Sequence, residues 1–202
     1  MTGGRQHYFT PLPAGEVRSR LVRYLDGRDE FGFRTAPGVF SRGGVDRGTR
    51  LLLEAVRVEG AGSVLDLGCG YGIVGIVLAR RAPEARVVLV DINPRAVALA
   101  AENIALNDVP NAEALCGDGC APVAGRTFEV VAMNPPIRAG RPVVLRLIEE
   151  ARACLSPGGR LYLVARTSQG AQTLGRLMGE RFARVAEVER GGGFRVYEAS
   201  DV

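Results

Sequence analysis

The sequence predicts an α/β fold built on a doubly wound, mostly parallel sheet, and three observations carry the prediction. The first is Ser63 to Gly75, S-V-L-D-L-G-C-G-Y-G-I-V-G: an apolar run, a glycine-rich corner and the start of a second apolar run. Val64, Leu65 and Leu67 read as a buried strand, whereas Ile73, Val74, Ile76, Val77 and Leu78 recur at spacings that suit a helix packed on a sheet. The second is that strand-like and helix-like runs alternate regularly from there on, as successive βα units require. The third is the end of the chain, where Val185–Glu189 and Phe194–Ala199 are joined by Gly191-Gly192-Gly193 with no helix between them. Strands joined so tightly pair antiparallel.

At 202 residues and 47% hydrophobic content, the chain has the size of one domain with a full core and a small extension. Its apolar runs are too short to span a bilayer, and M-T-G-G-R-Q-H lacks a signal-peptide pattern, so a soluble cytoplasmic protein is expected. Cys69, Cys116, Cys120 and Cys154 form no C-x-x-C pair and His7 is the single histidine. No zinc set follows, and buried reduced thiols are expected. All 26 basic residues are arginine, which removes Schiff-base chemistry and the P-loop lysine. A net charge of +4 permits an anionic partner such as RNA, though arginine in place of lysine throughout also follows from genomic base composition.

The elements are expected in this order. After the proline-broken Pro11-Leu12-Pro13, the residues Val17, Leu21, Val22 and Leu25 suit a short helix over 17–25. Glu30 to Phe40 alternates Phe31, Phe33 and Thr35 before Pro37-Gly38, which reads as a hairpin with its turn there. Asp46 or Thr49 caps a helix through Leu51, Leu52, Leu53, Ala55 and Val56. Residues 1–58 form an extension packed on a core spanning 59–202, with no Gly/Ser linker between them, so one domain is expected. Within the core, strands are expected at 64–67, 86–91, 113–116, 128–133 and 160–165. Helices alternate with them at 73–81, 94–107, 141–155 and 169–181, and the terminal hairpin closes the chain. Asn93 with Pro94 marks one helix start and Ser156-Pro157-Gly158-Gly159 one helix stop.

Gly68, Gly70 and Gly72 permit a tight turn in which backbone approaches a ligand closely. Gly70-Tyr71-Gly72-Ile73-Val74-Gly75 also satisfies the dinucleotide fingerprint, so the corner alone does not choose between nucleotide cofactors. Asp91 ends the second strand about 20 residues beyond the corner, where a carboxylate accepts from both ribose hydroxyls. Asp118, after the third strand, is placed to accept from an adenine amino group. Asp66 disfavours a nearby pyrophosphate and suits a cofactor carrying an amino group and a sulfonium charge. Asn134-Pro135-Pro136-Ile137 follows the fourth strand. Its prolines fix φ and remove N–H donors, so the local carbonyls are expected to stay free. The Asn134 side-chain oxygen and a neighbouring carbonyl can then accept from one planar amino group and aim its lone pair at an electrophile.

Together V-L-D-L-G-C-G-Y-G, V-D-I-N, G-D and N-P-P-I resemble class I S-adenosylmethionine-dependent methyltransferases that modify amino groups. The upstream F-R-T-A-P-G-V-F-S-R-G-G-V-D-R-G-T-R-L-L-L-E, with N-P-P-I-R-A-G and Q-G-A-Q, is similar to the catalytic domain of the small-subunit ribosomal RNA guanine-N2 methyltransferase family, over about His7 to Ala199. The resemblance implies a Rossmann-like seven-stranded sheet, S-adenosyl-L-methionine as cofactor and an exocyclic amine acceptor in RNA. It assigns ribose to Asp91, adenine to Asp118 and the target amine to Asn134 with Pro135. The cofactor-binding set is then Asp66, Gly68, Gly70, Gly72, Asp91, Ile92, Asp118 and Asn134. The substrate side is Phe40, Pro136, Ile137, Arg138 and Arg141, with Arg42 and Arg47 beside it. Longer family members carry a further N-terminal domain, and none is expected here. Ile137 stands where many relatives have a stacking aromatic, which turns attention to Phe40 and Tyr8. No metal or membrane is expected. Three other readings stay open: protein glutamine methylation, a non-catalytic RNA-binding relative and a nicotinamide oxidoreductase.

Overall fold

The computed structural model describes residues 20–36 and 44–201. His7, Tyr8, the Pro37-Gly38 turn, Phe40 and Arg42 lie outside them. A two-stranded antiparallel hairpin comes first, β1 (Arg20–Asp26) with β2 (Asp29–Thr35). The helix expected over 17–25 is therefore a strand from Arg20 onward, paired with β2 through a turn at Gly27-Arg28. The reason is local: Asp26-Gly27 supplies a glycine at φ 61° for a two-residue loop. Val22 and Tyr24 alternate as buried residues between the exposed Leu21 and Leu25. Phe31 and Phe33 on β2 are fully buried beneath them.

The remaining elements are α1 (Arg47–Ala55), β3 (Ser63–Leu67), α2 (Ile73–Arg81), β4 (Arg86–Asp91), α3 (Pro94–Leu106), β5 (Ala112–Cys116) and β6 (Phe128–Met133). They continue through α4 (Arg141–Ala153), β7 (Leu155–Arg166), α5 (Ala171–Gly179), β8 (Arg184–Gly191) and β9 (Phe194–Ser200). Seven strands form one sheet in the order β5-β4-β3-β6-β7-β9-β8, parallel except for β9, which runs antiparallel to both its neighbours. The Ser156-Pro157-Gly158-Gly159 stop lies inside the long strand β7, whose pairing with β6 is irregular there. The last helix starts two residues later than expected, after a 3₁₀ turn over Thr167–Gln169.

Strand residues alternate between two cores. Val64, Val87 and Leu89 face a layer made by α1, α2, α3 and the hairpin, whereas Leu65, Leu67, Val88 and Val90 face α4 and α5. The hairpin is fastened to its layer by polar groups as well. Asn103 on α3 and Asn107, the cap that ends it one turn later, each pair with a residue on the edge of β2 away from β1. Asn103 accepts from the Arg34 N–H (2.7 Å) and donates to its carbonyl (2.9 Å), and Asn107 does the same for Gly32 (3.0 and 2.8 Å). Two side-chain amides thus stand in for a neighbouring strand. A third Asn103 bond, to the Tyr71 carbonyl at 2.8 Å, ties the hairpin to the glycine corner. Arg81 clamps Asp26 in a two-pronged ion pair (2.7 and 2.6 Å). No helix among the described residues is long and apolar enough to cross a membrane.

Candidate active site

Strand register builds the site. Leu67 pairs with Val90 on one side and Met133 on the other, so the residues that follow, Gly68, Asp91 and Asn134, leave the sheet in one row at its carboxyl edge. Asp91 pairs onward with Cys116, which brings the Asp118 turn to the same edge. The chain winds outward from β3 through β4 to β5 and then crosses to β6, so this edge is also the topological switch point where open α/β sheets bind ligands.

The glycine corner is fixed from below by backbone bonds. The N–H groups of Gly68 and Cys69 both donate to the Val90 carbonyl, at 2.8 and 2.9 Å. Gly70 N–H donates to Asp91 Oδ2 at 2.8 Å, and Asn93 N–H donates to Asp91 Oδ1 at 2.8 Å. Gly68 and Gly70 adopt φ of 81° and 57°, and a β-carbon on either would meet no atom within 4 Å: these two glycines open onto the cleft. Gly72 and Gly75 have the other use. A β-carbon on Gly75 would lie 2.5 Å from Leu89 Cγ, so this glycine lets α2 close on β4. The two overlapping glycine patterns thus describe different tasks of one corner.

Asp66 is 2% exposed and sits beneath that corner, where Oδ2 accepts from the Gly75 N–H at 2.8 Å. Burial pushes its carboxyl up to about 7, the Gly75 bond opposes the rise and the Asp91 charge adds to it. Asp91, less buried, is also raised by burial, against the bonds from Asn93 and Gly70. Ile92 beside it is 46% exposed, an apolar surface on the cleft rim. Asp118 is exposed and its Oδ1 accepts from Arg146 at 2.7 Å, while Arg146 also bridges to Glu150 (2.6 Å) and Glu150 accepts from Cys120 N–H (2.9 Å). Neither Arg146 nor Glu150 stood out in the sequence; their i,i+4 spacing on α4 was the available signal. Cys116 is exposed, contrary to the expectation of four buried thiols; Cys69, Cys120 and Cys154 are buried. It ends β5, which among the described residues pairs with β4 alone.

At the Asn134 corner Pro135 is buried and Pro136 exposed. The carbonyls are not free as expected. Pro136 adopts φ −75° and ψ 75°, a γ-turn geometry in which the Pro135 carbonyl accepts from the Ile137 N–H at 2.9 Å. The Pro136 carbonyl accepts from Ala139 N–H at 2.9 Å. Each keeps a second lone pair. Ile137 is half-buried against the α4/α5 core, and Arg138, Arg141 and Arg47 are exposed. The Asn134 side chain is held from α1: its Nδ2 donates to Thr49 Oγ1 at 3.2 Å, and that hydroxyl donates to Asp46 Oδ2 at 2.5 Å. Asp46 caps α1, its Oδ1 accepting from Gly48 N–H (2.9 Å) and Thr49 N–H (3.1 Å). The sequence showed Asp46 and Thr49 only as a helix start.

A sheet of this order, with a cleft at the β3/β6 switch point and an antiparallel last strand, is the Rossmann-like methyltransferase fold. Residues 30–198 match the methyltransferase small-domain family, and the chain belongs to it. A Bacillus subtilis relative, "Uncharacterized protein YbxB", is 33% identical over 98% of this chain and 99% of its own length. The "Ribosomal RNA small subunit methyltransferase C" of Pseudomonas fluorescens is 38% identical over 81% of this chain but 49% of its own length. The chain thus spans about half the length of such relatives. A solved structure of the T. thermophilus 16S rRNA N2 G1207 methyltransferase (RsmC) in complex with AdoMet and guanosine superposes with a TM-score of 0.82 at 28% identity, covering 95% of this chain and 52% of that one.

Proposed function

We propose that this chain transfers the methyl group of S-adenosylmethionine to the exocyclic amino group of a base in RNA, most specifically guanine N2 of small-subunit ribosomal RNA. One observation carries the reading: Asp91 and Asn134 leave the sheet in register on either side of β3, with the open glycines between them. Two strand spacings separate them, about 10 Å, which suits a ribose at one end and a reacting methyl at the other. Likeness to the guanine-N2 enzymes supports the choice of amine and of RNA.

The residues present fit that cofactor. Both Asp91 oxygens accept one backbone N–H each and retain capacity for the ribose hydroxyls. Gly68 and Gly70 leave room for the amino-acid end, Ile92 offers an apolar face to adenine and the exposed Asp118, its Oδ1 held by Arg146, an acceptor for its amino group. Asp66 acts from below by holding Gly75. The cofactor supplies a methyl already activated by a sulfonium charge, which leaves orientation and exclusion of water to the protein. Asn134 Oδ1 and the Pro135 carbonyl accept the two amine hydrogens and turn the nitrogen lone pair toward the methyl. The base must be unstacked to reach this edge, its phosphates meeting Arg47, Arg138 and Arg141, with Pro136 and Ile137 against its plane.

The test is incubation with radiolabelled S-adenosylmethionine and, separately, bulk RNA, free ribosomal subunits and protein extract, followed by nucleoside analysis. N2-methylguanosine from the small subunit is the expected product. Label that survives ribonuclease and resides on glutamine would overturn the RNA assignment.

A further inference from the structure

Thr49 is buried and reaches Asn134 across 85 positions of sequence. Its hydroxyl has two neighbours of fixed character. Asp46 Oδ2 is a carboxylate oxygen and can only accept, so the hydroxyl proton points to Asp46. The Thr49 oxygen is then left as an acceptor, and only the NH₂ end of the Asn134 amide can satisfy it. From this polarity we infer that Asp46 and Thr49 are positioning residues for the proposed transfer: the carboxylate sets the hydroxyl, the hydroxyl sets the amide, and Asn134 Oδ1 is presented to the target amine.

The inference rests on the proposed role of Asn134 and adds what decides which end of its amide faces the substrate. An asparagine amide is nearly symmetric in shape, and packing alone does not distinguish oxygen from nitrogen. Reversed, it would offer N–H to an amine that must itself donate, and the lone pair would lose its aim. Asp46→Asn separates this from a structural role. The new side chain still accepts from the Gly48 and Thr49 N–H groups through its oxygen, so the α1 cap survives. Its NH₂ now donates to Thr49, the hydroxyl proton swings toward Asn134 and the amide flips.

The experiment compares Asp46→Asn, Thr49→Val, Thr49→Ser and Asn134→Ala in kcat, KM for RNA, S-adenosylmethionine affinity and thermal midpoint. It also follows the Asn134 side-chain amide protons by NMR in the cofactor-free protein, identified by their loss in Asn134→Ala. Asp46→Asn and Thr49→Val should each lower kcat on the order of 10²-fold, with KM and cofactor affinity within about threefold. Thr49→Ser, which keeps the hydroxyl, should bring kcat back to within about threefold of the parent. The Asn134 amide protons should exchange slowly in the parent and in Thr49→Ser, and rapidly in Thr49→Val. An inactive Asn134→Ala beside fully active Thr49→Val and Asp46→Asn would overturn the relay and leave the role of Asn134 standing. An active Asn134→Ala would overturn both. If Thr49→Val does not fold, Asp46→Asn and the exchange of the Asn134 protons decide the matter alone.

Discussion

The glycine corner after β3 and the Asn134 corner after β6 leave adjacent strands of one sheet but are held by different means. The first is closed by its immediate neighbours: the Val90 carbonyl, the Asp91 carboxylate and, from beneath, Asp66. Every one of those groups belongs to β3, β4 or the turns after them. The second keeps its backbone to itself through the Pro135–Ile137 turn, and its working side chain is steadied by α1, an element that precedes the whole βα series. On the proposed reading, the cofactor side is then held mainly from within the sheet, whereas the substrate side is completed by the extension in front of it.

The largest expected effect separates the two corners directly. Asn134→Ala should reduce kcat on the order of 10²- to 10³-fold while S-adenosylmethionine affinity, measured by calorimetry, changes by a few-fold at most. Asp91→Asn should do the reverse, weakening cofactor affinity by about 10- to 100-fold, the scale of a lost hydrogen bond to a charged group, with kcat at saturation little changed. If each substitution moved both quantities equally, the two corners would not be separable.

Gly75→Ala probes the closure of α2 on β4. The β-carbon falls 2.5 Å from Leu89, and the overpacking should cost about 1–3 kcal/mol in denaturant unfolding. A pH-dependent effect concerns Asp66. Its carboxyl is raised in the folded state from an ordinary 3.8 to about 7, so the native protein holds a proton there that the unfolded chain has released. That contribution to stability is complete below pH 3.8 and is lost as pH rises through 7. Asp66→Asn does not lose it, so its thermal midpoint should gain on the parent between about pH 4 and pH 7 and keep that gain above pH 7. A gain of roughly 2–4 °C corresponds to each kcal/mol in a chain of this size. A constant difference across that range would show that Asp66 is ionised throughout.

The same division governs what the sequence disclosed. Strands 86–91 and 128–133 and the helix over 73–81 have the expected limits because each carries its own periodicity and its own stop, such as Pro83. The glycine corner is legible for the same reason, since most of its bonds run between residues close in sequence or in adjacent strands, the Asn103–Tyr71 bond from α3 excepted. Residues 20–26 are not. Leu21, Val22 and Leu25 suit a helix face, but Val22 and Tyr24 are the buried pair, and only the Asp26-Gly27 turn and the partner β2 settle the period. The support of Asn134 by Thr49 is likewise invisible, because 85 intervening residues must fold before the two side chains meet. Asp46 and Thr49 satisfied a complete local explanation as a helix start, and nothing in the sequence asked for a second one.

The asparagine pair on α3 has a consequence for the order of events during synthesis. β2 is made early, but the amides that cover its open edge come 69 and 75 residues later. At about 5–20 residues per second a ribosome needs roughly 4–15 s to supply them. For that interval the newborn hairpin carries two bare peptide groups and the unshielded rings of Phe31 and Phe33, with neither Asn103 nor Asn107 yet available. Hairpins themselves form in about 1–10 μs, so the first-made part of the chain spends nearly all of that time waiting for its partner. Its exposure to chaperones, and to other nascent chains, is set by translation speed at codons well downstream of its own.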